Sequence, residues 1–100
     1  MCIEKRGALG GTCLNVGCIP SKALLHNTHL YHTAKHEFKE RGIDVTGDVS
    51  INLKNLMAAK EKAVTGLTKG VEGLLKKNGA RYVKGHARIV GPNSVEVLDE

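Results

Sequence analysis

Leu53, Leu56, Met57, Lys60, Val64, Leu67, Val71, Leu74 and Leu75 recur mostly at three- and four-residue steps, which gathers them on one largely apolar face of a helix. The pattern predicts a helix over about 52–77, closed by Asn78-Gly79 as a C-cap. Upstream, the run after "KRGALGGT" predicts another helix that starts close to Cys13 or Asn15 and extends to about Lys39. Pro20 falls in its first turns, where a missing N–H is tolerated, and "RGIDVTGDVS" breaks it. Beyond Gly79, "ARYVKGHARIV" and "SVEVLD" are β-rich runs joined by "GPNS", a hairpin turn. "MCIE" reads as the end of a strand and "KRGALGGT" as a glycine-rich loop. The expected fold class is α/β: a strand end, a loop, two long antiparallel helices and a small β ribbon, with no closed architecture of its own.

Composition narrows the function classes. One hundred residues, 41% hydrophobic and 25% charged, suit one small soluble domain or a piece of a larger one. Only Tyr31, Phe38 and Tyr82 are aromatic, which argues against a stacking surface for nucleic acid. The net charge of +5 is spread along the chain, with no basic run longer than a pair such as Lys76-Lys77. No stretch approaches the ~18 apolar residues of a membrane span. Neither a nucleic acid nor a membrane is an expected partner. "MCIEKRGALGG" places charges where a signal peptide needs an apolar core, and it is not an Arg- and Ser-rich transit segment. Three cysteines do not pair completely. A close pair beside one leftover, Cys2, suits catalysis or sensing in a reducing compartment.

That pair, Cys13 and Cys18 in "GGTCLNVGCIPSKALL", sits where a glycine-bounded loop turns into a helix. Thiol–disulfide exchange proceeds through a thiolate, and a helix N-terminus supplies partial positive charge and free N–H groups that favour one. Gly10, Gly11 and Gly17 let the backbone bend and approach a flat ligand, and Lys22 adds a cation one turn beyond Cys18. Two other readings stand beside a redox pair. One is a pair of plain buried or free cysteines. The other is zinc, with His26, His29, His32 and His36 at helical spacing after the pair, although structural zinc usually draws on a second tight ligand pair. Histidines along one helix also form an ordinary solvated stripe, and no metal is expected.

The wider context resolves the choice by resemblance. "GGTCLNVGCIPSKALL" resembles the active-site signature of the flavin-dependent pyridine nucleotide–disulfide oxidoreductases. The "IPSKALL" continuation is most similar to the branch that reoxidises protein-bound dihydrolipoamide. Glutathione- and mercuric-reductase branches share the C-x4-C frame but usually differ after the second cysteine. The likeness extends through "HNTHLYH", "RGI", the long second helix and "VKGHARI", so it covers essentially all of residues 1–100.

This resemblance implies an incomplete FAD-binding, Rossmann-like domain whose cysteines alternate between disulfide and dithiol. Cys13 is implied as the interchange thiol that meets the substrate, and Cys18 as the thiolate that faces the flavin. Lys22 corresponds to the lysine near the flavin N5 edge. Glu4 would bind the ribose of the FAD adenosine, with Lys5 beside it. Gly10, Gly11 and Thr12 would follow the pyrophosphate and ribityl region. Ala87, in "VKGHARI", stands where lipoamide members often carry Gly, so only a main-chain contact to the adenine side is implied there. No G-x-G-x-x-G occurs. The first βαβ unit, the NAD site and the dimer-forming domain with its catalytic His–Glu pair are therefore expected outside these residues, with Met1 internal or introduced. The implied partners are lipoyl domains of 2-oxo-acid dehydrogenase complexes or the glycine cleavage system, and a second copy in a homodimer. The implied location is the mitochondrial matrix or a bacterial cytoplasm. The chain alone is expected to be inactive.

Overall fold

A computed structural model describes residues 1–98. In chain order it contains β1 (Cys2–Glu4), α1 (Gly11–Val16), α2 (Cys18–His36), a 3-10 turn (Lys39–Arg41), α3 (Leu53–Lys77), β2 (Tyr82–Lys84), β3 (His86–Gly91) and β4 (Ser94–Leu98). Asp99, the end of the predicted "SVEVLD" strand, lies outside the described residues.

The long helix expected from periodicity is α3, and its ends are closed by side chain and backbone. Asn52 is extended at the N-cap, and its side-chain oxygen accepts from the Asn55 N–H at 3.1 Å. At the other end the Ala80 N–H donates to the Leu75 carbonyl and the Gly79 N–H to the Lys76 carbonyl. This double closure satisfies two carbonyls that would otherwise be orphaned, with Gly79 in the left-handed conformation it requires. Between the caps stand Gly66, Gly70 and Gly73, each costing roughly 1 kcal/mol against alanine in a helix interior. Length, caps and packing must offset them.

The single upstream helix is a correction: the structure breaks it into α1 and α2 at Gly17. Pro20 is the physical reason. In a continuous helix its position would have to donate an N–H to the Val16 carbonyl, but proline has none and its ring would strike that carbonyl. The chain instead restarts, and Pro20 becomes the third residue of α2, in a first turn whose N–H groups need no intrahelical partner. The Gly17 carbonyl anchors the new ladder, accepting both the Ser21 N–H at 3.1 Å and the Ser21 hydroxyl at 2.8 Å. The far end also differs from expectation, because α2 stops at His36 rather than near Lys39. There Ile43 N–H donates to Phe38 and Gly42 N–H to Lys39, turning the chain toward α3.

The run "ARYVKGHARIV" is likewise corrected from one strand to two, in different sheets. β2 pairs in parallel with β1, in register Cys2↔Tyr82, Ile3↔Val83 and Glu4↔Lys84. β3 pairs antiparallel with β4 around Pro92-Asn93, the expected hairpin. Gly85 separates them at φ 147°, and a Cβ there would lie 2.5 Å from a Val97 methyl carbon. Only glycine suits that corner.

α3 packs on α1 and α2 and delivers β2 beside β1. Its apolar positions divide: Leu56, Val64, Val71 and Leu75 are half-buried, whereas Leu53, Met57, Leu67 and Leu74 are exposed. Leu9, in the glycine-rich loop, is the one buried hydrophobic residue among those described, at 5% exposure. The radius of gyration is 20.4 Å, against about 13 Å for a compact chain of this length. Stability therefore rests on helix ends and ladders more than on a core. Asn52→Ala should accelerate amide exchange in the first turn of α3 about fivefold, for a lost cap of about 1 kcal/mol, while Asn52→Asp retains protection.

Candidate functional site

The site is built on the break at Gly17. In an unbroken helix, residues five apart lie about 140° apart around the axis and about 8.6 Å apart between Cα atoms. That separation exceeds the ~7 Å beyond which cysteines do not bridge. In the structure Cys13, the third residue of α1, and Cys18, the first of α2, have their Cα atoms 4.6 Å apart and form a disulfide. The bend leaves little room at its apex, where a Cβ on Gly17 would meet the Thr12 carbonyl oxygen at 3.0 Å and the Cys13 Cα at 3.3 Å. Cys13 is half-buried and Cys18 exposed. Cys2, the leftover cysteine, is a free and half-buried thiol on β1.

The glycine-rich loop is locked beneath the pair. Gly10 caps α1 at φ 107°, and a Cβ there would lie 2.6 Å from a methyl carbon of Leu14, so a larger residue would push the loop off the helix. The Asn15 side-chain amide donates to the Leu9 carbonyl at 3.2 Å and to the Gly11 carbonyl at 2.9 Å, tying the loop to α1. Leu9 fixes the loop from inside. A cavity of about 310 Å³ separates the loop at Gly7 and Ala8 from Thr65 and Thr68 of α3 and Tyr82 of β2. The Tyr82 hydroxyl donates to the Gly7 carbonyl at 3.4 Å.

Glu4 stands at the end of β1, half-buried, with Oε1 accepting the Arg6 N–H at 2.8 Å. The Arg6 guanidinium donates to the Thr12 hydroxyl at 3.3 Å. Arg6 thus links two predicted site residues, and with Asn15 it was missed by sequence reasoning. The available signal for Asn15 was its i+4 spacing from Gly11, where a side-chain amide reaches the carbonyl one turn back. Glu4, Gly10, Gly11, Thr12, Cys13 and Cys18 are gathered along the first turns of the fold. Lys5 is exposed. Lys22 is exposed one helical turn beyond Cys18, on the same face. Ala87 is exposed on β3 opposite Val97, in a strand that packs against β1, two residues after Gly85, whose N–H donates to the Glu4 carbonyl at 3.1 Å.

Among the described residues, no three or more His, Cys, Asp or Glu side chains gather as a metal site. His26, His29, His32 and His36 are all exposed. No described helix is long and apolar enough to cross a membrane.

Residues 1–100 match the family profile described as pyridine nucleotide-disulphide oxidoreductase. The chain belongs to this family. Similar relatives include dihydrolipoamide dehydrogenase of Chaetomium thermophilum, 65% identical over 96% of the chain and 19% of the relative. Leghemoglobin reductase of Vigna unguiculata is 62% identical over 96% of the chain and 18% of its own length. Mitochondrial dihydrolipoyl dehydrogenase of Pisum sativum is 60% identical over 96% and 19%. The chain spans about a fifth of the length of these curated relatives.

For this pyridine nucleotide–disulphide oxidoreductase segment, the bend at Gly17 should govern disulfide stability. Gly17→Val places carbon against the Thr12 carbonyl, and such overpacking costs about 1–3 kcal/mol. In a fixed glutathione buffer, the reduced-to-oxidised ratio of the pair should rise about fivefold or more. Counting reactive thiols measures it: one in the oxidised chain, from Cys2, and three in the reduced chain.

Proposed function

We propose that this chain is the redox-disulfide segment of the FAD domain of a dihydrolipoyl dehydrogenase, which reoxidises protein-bound dihydrolipoamide with NAD+ as final acceptor. The observation that carries the reading is the Cys13–Cys18 disulfide held across the Gly17 bend, above a glycine-rich loop. In the exchange, a substrate thiolate attacks Cys13 Sγ; a substrate–Cys13 disulfide forms and the Cys13–Cys18 bond breaks, releasing Cys18 as a thiolate. The second substrate thiolate then attacks the substrate sulfur of that mixed disulfide. Lipoamide leaves oxidised, and the enzyme pair holds the two electrons as a dithiol. The start of a 19-residue helix favours negative charge on the released Cys18 sulfur. Lys22, one turn along, adds a cation on that side.

The residues present fit a bound FAD. A Cβ on Gly11 would meet nothing within 4 Å, so backbone there is open to close approach by a ligand. The Glu4 carboxylate uses one oxygen on Arg6, and its remaining acceptor capacity suits ribose hydroxyls. Glu4, with Lys5 beside it, Gly10, Gly11 and Thr12 would hold the dinucleotide, Cys18 and Lys22 would stand on the flavin side, and Ala87 would offer only main-chain groups. FAD supplies the two-electron acceptor between dithiol and nicotinamide. The NAD site, the base that accepts substrate protons and the homodimer contacts fall to the remainder of a protein of the relatives' length. Its partners would be lipoyl domains of 2-oxo-acid dehydrogenase complexes or the glycine cleavage system. A mitochondrial matrix location is supported by relatives named mitochondrial in pea, Arabidopsis thaliana and Schizosaccharomyces pombe.

Assays of the full-length protein separate this reading from another disulfide reductase: turnover should require dihydrolipoamide and NAD+, and glutathione disulfide with NADPH should give none. The reverse preference would overturn it. Cys13→Ser and Cys18→Ser should each abolish turnover but differ in colour, since only the variant retaining Cys18 keeps the long-wavelength absorption of a thiolate against oxidised flavin. The opposite pattern would exchange the two roles.

Glu4→Ala should release FAD about tenfold more readily on dialysis, as expected for charge-assisted hydrogen bonds of roughly 1.5–3 kcal/mol. The cysteine pair should still close. Unchanged flavin occupancy would remove Glu4 from the binding set.

A further inference from the structure

The histidines of α2 carry a feature that the redox chemistry does not use. His32 and His36 are four residues apart, both exposed, with ring centroids 4.7 Å apart and planes tilted by 44°. We propose that they form an open two-imidazole site for a divalent first-row transition-metal cation such as Zn2+. The ring spacing suits chelation. With one nitrogen of each ring turned to a common ion about 2.1 Å away, the ion would sit roughly 3.2 Å from each ring centroid, and centroids 4.7 Å apart would subtend about 95° at it. That angle lies between square-planar and tetrahedral values. Neutral imidazole is a ligand of choice for zinc, copper and nickel, and two of them at i and i+4 on one helix face bind a single ion. The Lys35 ammonium on the same helix donates to the Tyr31 hydroxyl at 3.1 Å. With two protein ligands, the other coordination positions belong to water or to an incoming donor group. The site is independent of the disulfide: His32 lies fourteen residues beyond Cys18, about 21 Å along the helix.

The test is a calorimetric Zn2+ titration of the chain with its cysteine pair oxidised, which removes both paired thiols as ligands. One ion per chain should bind. Removing even an outer-shell partner of a metal site costs about 10–100-fold in affinity, so His32→Gln and His36→Gln should each weaken binding by roughly tenfold or more. His26→Gln, two and three turns away, should leave it unchanged, and helix content should be the same in all variants by circular dichroism. Binding that survives both substitutions, as it would on Cys2, overturns the proposal. So does equal loss in the His26 variant, or no binding at millimolar Zn2+, in which case the rings are an aromatic pair only.

Discussion

A proline that cannot donate to the helix ladder decides the geometry of the cysteine pair. Because Pro20 lacks the N–H that a continuous helix would direct to Val16, the backbone turns at Gly17 and begins again. That turn converts a five-residue separation too wide to bridge into Cα atoms 4.6 Å apart. It also places the two cysteines in different settings, one inside a six-residue helix and half-buried, the other exposed at the start of a 19-residue one.

Around this bend the fold is held by local hydrogen bonds to an unusual degree. Asn15 ties the glycine-rich loop to α1, Arg6 joins the end of β1 to Thr12, and Gly85 lets one β-rich run serve two sheets. Apolar burial is slight by comparison: Leu9 is buried, and half of the apolar stripe of α3 faces solvent. Exposed Leu53, Met57, Leu67 and Leu74 follow the same three- and four-residue rhythm as their half-buried neighbours. In physical terms the helix is patterned for more covering surface than these residues supply.

Local chemistry made much of this legible in advance. The α3 helix was readable to within a residue at its start because Asn52 is a strong N-cap and Asn78-Gly79 a strong stop, each acting on its immediate neighbours. The hairpin at Pro92-Asn93 was readable for the same reason. Cys13 and Cys18 stood out through their glycine setting and their resemblance to a known signature. Periodicity misled at Gly17, because "LNVGCIPSKALL" has helical character on both sides and the clash at Val16 appears only when the turn is built. Arg6 and Asn15 were passed over since a side chain reaching a hydroxyl or a carbonyl leaves no hydrophobic pattern.

By itself, then, the sequence determined the extent of α3 and its C-cap, the hairpin at the end and, through the cysteine signature, the family. These depend on contacts within a turn or two, or on motif identity. The tertiary structure decided which strand runs pair, that β2 joins β1 in parallel while β3 turns to β4, and which face of α3 is covered. It also decided that Arg6 ties the end of β1 to Thr12 and that β3, which carries Ala87, packs against β1. Those outcomes depend on residues far apart in the chain meeting in space, and no local spacing records them.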